Sequence, residues 1–327
     1  MARKIKMLSI YLVAFAFVVA SVGVSPALGA RQLKVAAVMP GTITDGSFNQ
    51  SCYEGLKVIE KKLGAQIAFS ERVSQADQVE NIIDYARRGY DLVIAHGGEM
   101  DDAAMKVAKK FPKVKFFVTN GNAKGPNVAN GSVNPTHYGY VCGVVGAKMT
   151  KTNKLACVAG NEFALVVAVY ESFKKGVRDY NPDADVGMIY TGSWDDVAKA
   201  KEAALAQIAI GVDVLFPVLD LATLGIIEGA REEGVYVFGF SKDQLDAAPK
   251  NVLCSAIQNY SAILLHIAKL VKEGKFEGGK SYALGFETPG VTGLGRINKI
   301  VPQEVRDLVK KAEGDLISGR IEPYPWP

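Results

Sequence analysis

Apolar and polar positions follow two periods that take turns along this chain. Short, continuous apolar runs at 33–39, 66–69, 92–95 and 115–118 read as strands buried on both faces. Between them, a segment opening near Ser47 and segments 74–88 and 101–111 carry the wider spacing of helices. After Asn134-Pro135 a helix over 138–149 leads into a second series. Its strands are predicted at 155–158, 186–190, 214–217, 235–238 and 252–254, with helices near 165–180, 196–210 and 223–233. A helix over 262–273, a strand over 280–285 and a last helix over 303–318 follow. Strands alternating with helices predict an α/β fold of two doubly wound parallel-sheet lobes of similar size. In such sheets ligands bind outside the carboxyl ends of the strands, so the loops there are the place to look for chemistry.

Composition narrows this picture. The 327 residues, 49% of them hydrophobic, suffice for two domains with real cores. Residues 1–30 combine a basic start (Arg3, Lys4, Lys6), an apolar run over 7–24 and a helix-breaking end, Pro26-Ala-Leu-Gly-Ala30. That pattern predicts a signal peptide cleaved after Gly29 or Ala30 rather than a membrane anchor, and a periplasmic or extracellular protein. The formal charge is +4, but beyond residue 30 there are 35 basic and 34 acidic residues. The basic excess expected of a nucleic-acid-binding domain is therefore missing. Cys52, Cys142, Cys157 and Cys254 lie far apart, which excludes C-x-x-C zinc and redox signatures and leaves buried thiols or disulfides open.

Enzyme signatures are also missing. Neither a phosphate loop nor a G-x-G-x-x-G turn occurs. Gly239-Phe-Ser241-Lys-Asp243 begins like a nucleophile elbow, but Asp243 stands where the second glycine is required. His96, His137 and His266 form no helical metal pair. We expect no catalytic set, metal or cofactor. The polar loops at the strand ends fit binding better. In Thr44-Asp45-Gly46-Ser47-Phe48-Asn49-Gln50, Ser47 and Gln50 fit a capping box, while Phe48 is placed to stack on a flat ligand, with Asp45 and Asn49 offering hydrogen bonds to its edge. Thr191-Gly-Ser193-Trp194-Asp195-Asp196 repeats the design in the second series. Two such aromatics, one per lobe, would sandwich a planar ring.

The order of several short motifs resembles the basic membrane protein family of solute-binding proteins, relatives of type I periplasmic binding proteins that serve ABC importers and include purine-nucleoside receptors. The motifs are Asp45-x-Ser47-Phe48-Asn49-Gln50 with Glu54-Gly55, His96-Gly-Gly98, Phe111-Pro112, Tyr140-x-x-Gly143, Thr150-Lys-Thr152, Gly192-Ser-Trp194-x-Asp196-x-x-Lys199 and the stretch 239–244. The resemblance implies a three-strand hinge between a lobe of 31–134 plus 257–286 and a lobe of 135–256 plus 287–327. It also implies closure on one purine-like ligand, with an ABC permease as partner; separately, the lack of a long heptad pattern that could form a dimer seam predicts a monomer.

Nucleoside-binding members typically carry an aspartate at the position of Ser241 and a lysine at that of Gln258, both associated with the ribose, and a glycine-rich loop where this chain has Leu219-Asp220-Leu221. Losing two charge-assisted hydrogen bonds disfavours a sugar unless Asp220, Asp243 or Glu99 compensates. The expected ligand is accordingly a purine nucleobase or similar planar heterocycle, held by Asp45, Phe48, Asn49, Gly98, Trp194, Asp220, Ser241 and Gln258. The alternatives are a nucleoside receptor, a sensor presenting the liganded lobes to a membrane kinase, or a periplasmic nucleoside hydrolase using Asp45, Asp195 and Asp196.

Overall fold

The computed structural model describes residues 31–326; the expected signal segment, 1–30, lies outside the described residues. The first series builds β1 (Lys34–Val38), α1 (Phe48–Leu63), β2 (Gln66–Ser70), α2 (Gln78–Arg87), β3 (Leu92–His96), α3 (Asp101–Ala108), β4 (Lys115–Thr119) and β5 (Val128–Val133). The second builds α4 (Pro135–Met149), β6 (Lys154–Ala159), α5 (Ala164–Tyr180), β7 (Asp185–Tyr190), α6 (Val197–Ala209), β8 (Val214–Val218), α7 (Thr223–Glu233), β9 (Tyr236–Ser241) and β10 (Val252–Gln258). Then come α8 (Tyr260–Lys272), β11 (Ser281–Leu284), β12 (Thr292–Leu294) and α9 (Gln303–Ile317). Two six-stranded sheets result, ordered β11-β5-β4-β3-β1-β2 and β12-β10-β9-β8-β6-β7. All pairings are parallel except β10 with β12.

The apolar runs are explained by two-sided burial. Along β1 and the residue after it, Val35, Ala37 and Met39 enter one core while Ala36 and Val38 enter another. In β6, Cys157 and Ala159 join the first of these cores, and Ala156 and Val158 a third. Each sheet is therefore covered on both faces, which removes the period-2 alternation of a half-exposed strand. Helix α4 is buried all round, so its sequence carries almost no amphipathic stripe. It begins three residues earlier than expected because Asn134 accepts a hydrogen bond from the Thr136 amide and Pro135 takes the first helical position. The four cysteines are buried and free.

The chain passes between the sheets three times: from β5 to α4, from β10 to α8, and from β11 to β12. β10 is longer than expected and runs to Gln258, which pairs with Thr292. No helix among the described residues is long and apolar enough to cross a membrane.

Candidate functional site

In the first lobe the loop after β1 turns into α1, and Asp45 rather than Ser47 provides the cap. One Asp45 oxygen accepts from the amides of Ser47 and Gln50 (2.8 and 3.0 Å), the other from the Asn49 amide and side chain (2.8 and 2.7 Å). The expected capping box is thus corrected. Ser47 makes no side-chain cap, and Gln50 reaches forward to Glu54. A carboxylate outcompetes a hydroxyl for several helix-terminal N–H groups because its negative charge also meets the positive end of the helix dipole. Asn49 spends its carbonyl on the Gly41 amide (3.1 Å), which ties the loop to the helix.

The capped turn holds Phe48 half-buried at the lobe boundary. Its ring stacks on His96 at 3.7 Å between centroids and 19° between planes. Tyr260 lies perpendicular to both rings, 5.1 Å from Phe48 and 5.5 Å from His96. Near-equal distances put Tyr260 beside the stack, so among the described residues no other ring meets the Phe48 face turned away from His96. His96 is completely buried and bonds the Phe48 carbonyl through Nε2 (3.0 Å) and the Thr119 hydroxyl through Nδ1 (2.8 Å). A carbonyl only accepts, so Nε2 carries the proton and Thr119 donates to Nδ1. Burial pushes the imidazole down to about 3, and the ring is neutral.

Across the cleft, Asp196 caps α6 by accepting from the Lys199 amide (3.0 Å), and Ser193 instead receives the amides of Asp195 and Asp196. The serine cap expected here is corrected for the same reason as in the first lobe. Trp194 is half-buried against the backbone of Gly160, where an added Cβ would come within 2.5 Å of the indole. It runs nearly parallel to exposed Phe163, 5.9 Å away. The Trp194 carbonyl accepts from the amides of Asp220 and Ala222, both at 3.1 Å, and this fixes Asp220. Asp220 in turn accepts the Ser47 hydroxyl at 2.9 Å, a direct bond between the lobes. Burial pushes the Asp220 carboxyl up to about 7, and the nearby charges of Asp45 and Asp195 add to the rise.

At the end of β9, Ser241 has φ 71°, and Lys242 donates its amide to the Phe240 carbonyl (2.9 Å). This is a γ-turn with a left-handed centre, a strained conformation for a residue other than glycine. Gln258 donates to the Tyr138 hydroxyl at 2.6 Å. Ser241 and Gln258 border a crevice of about 290 Å³ that is closed on the first-lobe side by Ser47, Gln50, Ser51 and Glu54. Gly98 lies farther along, where a side chain would strike the Asn120 carbonyl at 2.6 Å. Asp243 is committed to Arg296 (2.7 Å). Among the described residues no cluster suits a metal ion.

A family model described as "ABC transporter substrate-binding protein PnrA-like" matches residues 32–323. The chain belongs to the Bmp family. Relatives include the transcriptional activator protein Med of Bacillus subtilis, 30% identical over 85% of this chain and 86% of that one. The nucleoside-binding protein BmpA of Lactococcus lactis is 30% identical over 88% of each chain, and a purine-binding protein of Brucella abortus 28% identical over 91% and 84%. Among solved structures, a transcriptional activator of the comK gene from Bacillus halodurans is 27% identical, with a TM-score of 0.78 over 89% of this chain and all of that one. The family is one of solute-binding proteins.

Three residues beside this candidate site of the Bmp-family chain are not marked by the sequence pattern. Tyr260 opens α8, two positions beyond Gln258. Its hydroxyl donates to the Asn120 side chain at 2.8 Å, a bond that joins the start of α8 to the loop after β4. Asn120 follows a strand with the same logic as Asp45, but nothing in its local pattern singled it out. Tyr138 lies on the largely apolar α4, where nothing in the local pattern marks it.

Proposed function

We propose that the chain is an extracytoplasmic receptor that holds a purine nucleobase, or a similar planar heterocycle, between its lobes and hands it to the permease of an ABC importer. Residues 1–30 direct export, and the receptor works as a monomer. The observation that carries this reading is the Phe48 platform: a ring backed by neutral His96, steadied by Tyr260 and bare of aromatic contact on its other face. A ring held this way stacks on a flat ligand without losing further side-chain freedom on binding, which favours affinity. Trp194 covers the ligand from the second lobe, and Asp220 and Asn120 offer hydrogen bonds to its edge. Gly98 lets the backbone approach, and Ser241 and Gln258 border the ligand on the side of the crevice. Asp45 and Asn49 contribute by holding the Phe48 turn.

A nucleoside is the second reading. It is favoured by the crevice beside Ser241 and Gln258, which has room for a sugar and hydroxyl, amide and carboxylate groups around it. Calorimetry across adenine, guanine, hypoxanthine and their nucleosides separates the two. A base binding at least about tenfold more tightly than its nucleoside, about 1.4 kcal/mol, is the expected result. A nucleoside binding more tightly overturns the nucleobase reading, and the absence of purine binding overturns both.

A further inference from the structure

The strand-starting edge of the first lobe, opposite its cleft, is rich in basic side chains; the Asp91 carboxylate also lies there and accepts the Lys34 amide at 2.8 Å. Lys34, Gln66, Leu92 and Lys115 lie side by side there, and α1, α2 and α3 each end just before one of these strands begins. Lys61 and Lys62 close α1, Arg87 closes α2, and Lys109, Lys110 and Lys113 fill the connection from α3 to β4. All six are exposed, and none has an ion pair among the described residues. Four carboxylates nearby are already taken: Glu60 by Lys57, Asp84 by Arg88, Glu273 by Lys275 and Glu277 by Lys280.

Cations at helix C-termini offset the helix dipole, but that effect fades beyond the last turn and does not account for Lys110 and Lys113. The corresponding edge of the second lobe, on the same topology, is mixed. Asp183 and Asp185 stand beside Arg178, α6 has no basic residue in its last turn, and α7 ends in Arg231-Glu-Glu233.

We propose that this basic end of the first lobe rests on a membrane surface of anionic phospholipid. Charge complementarity carries the inference, because a sheet of phosphate headgroups attracts a cluster of exposed basic side chains that make no ion pair among the described residues. Contact through this end leaves the cleft uncovered. It also gives a receptor that serves a membrane permease a weak, reversible resting place next to its partner.

The test uses the chain from Gln32 to Pro327, which contains both sheets and all three cores. It is sedimented with vesicles of phosphatidylcholine alone or mixed with phosphatidylglycerol. Binding is expected only to the anionic vesicles, and it should fade as salt rises from about 50 to about 300 mM. The triple variant Lys109→Gln/Lys110→Gln/Lys113→Gln should bind at least about tenfold more weakly with an unchanged melting temperature. A second-lobe control, Lys250→Gln/Lys299→Gln/Lys310→Gln, should stay within about twofold of the parent. Equal binding to both vesicle types, no binding at low salt, or equal losses in the two triples would each overturn the proposal. So would equally tight capture by a random DNA duplex, which would reduce the patch to a generic polyanion trap.

Discussion

The two lobes use one design for different ends. Each places a carboxylate cap and an aromatic side chain at the carboxyl end of its sheet: Asp45 with Phe48 in the first lobe, Asp196 with Trp194 in the second. What stands behind the ring differs. Phe48 is backed by His96, whose two nitrogens are both bonded, so the ring is held firmly on one face, and its outer face is the one proposed to receive a ligand. Trp194 leans on Gly160, and its own carbonyl holds the loop that carries Asp220. One aromatic is presented, whereas the other is also a brace. A sequence motif repeated in two lobes therefore does not fix equal roles, because the work of a ring depends on the neighbours its fold supplies.

The sharpest way to break this comparison is to remove each ring. Trp194→Ala should cost about 2 to 4 kcal/mol of folding stability, in keeping with truncation of a packed aromatic, and should weaken binding as Asp220 loses its support. Phe48→Ala should leave more than half of that stability in place and weaken ligand binding by about 1 to 3 kcal/mol, the scale of one lost base stack. Chemical denaturation and calorimetry on both variants check it. If the tryptophan variant unfolds like the parent while the phenylalanine variant loses the stability, the roles are reversed.

The α/β class, the two-series layout and most strands were legible because two-sided burial writes long apolar runs into the sequence. β5 was not. Its Asn130, Gly131 and Ser132 break the apolar run that marks the other strands, yet Asn130 is buried, bonding the Ala123 carbonyl and receiving the Ser281 hydroxyl. Polar residues are tolerated in that strand because neighbouring chain satisfies them, and one-dimensional patterning does not record such partners. β12, three residues long, was missed for its brevity. At the site, Phe48 and Trp194 stood out as large aromatics in polar loops. The roles of Tyr260 and Asn120 did not, since their bond spans 140 positions of sequence.

The bond between the lobes yields a pH prediction of intermediate size. Asp220 is raised from 3.8 to about 7 where it accepts the Ser47 hydroxyl with Asp45 and Asp195 nearby. An open form returns water to this carboxyl and brings it back toward its ordinary value, so the closed form holds the proton more tightly. Linkage then makes closure strongest in mild acid, weakening as pH rises through the interval between the ordinary value and about 7, and level above it. Solution scattering of the unliganded protein from pH 5 to 8 should show expansion over the upper part of that range. Asp220→Asn, uncharged throughout, should flatten the curve. A parent protein whose dimensions stay constant would mean that the Ser47 contact does not govern closure.

The smallest effect contrasts two left-handed residues, one per lobe. Asn120 (φ 55°) belongs to a type that tolerates this conformation, and its side chain is bonded by Tyr260. Ser241 (φ 71°) does not belong to such a type, and among the described residues no side-chain bond repays its strain. Ser241→Gly should therefore raise stability by about 0.5 to 1 kcal/mol, because glycine adopts this region without a Cβ clash. Asn120→Gly removes the same clash but also the acceptor for a buried tyrosine hydroxyl, and should lower stability by about 1 kcal/mol or more. The pair of signs is the test, read from denaturant midpoints at unchanged slope. Should both variants stabilise, the Tyr260 bond contributes less than the strain it overlies, and Asn120 would then be retained for the ligand rather than for the fold.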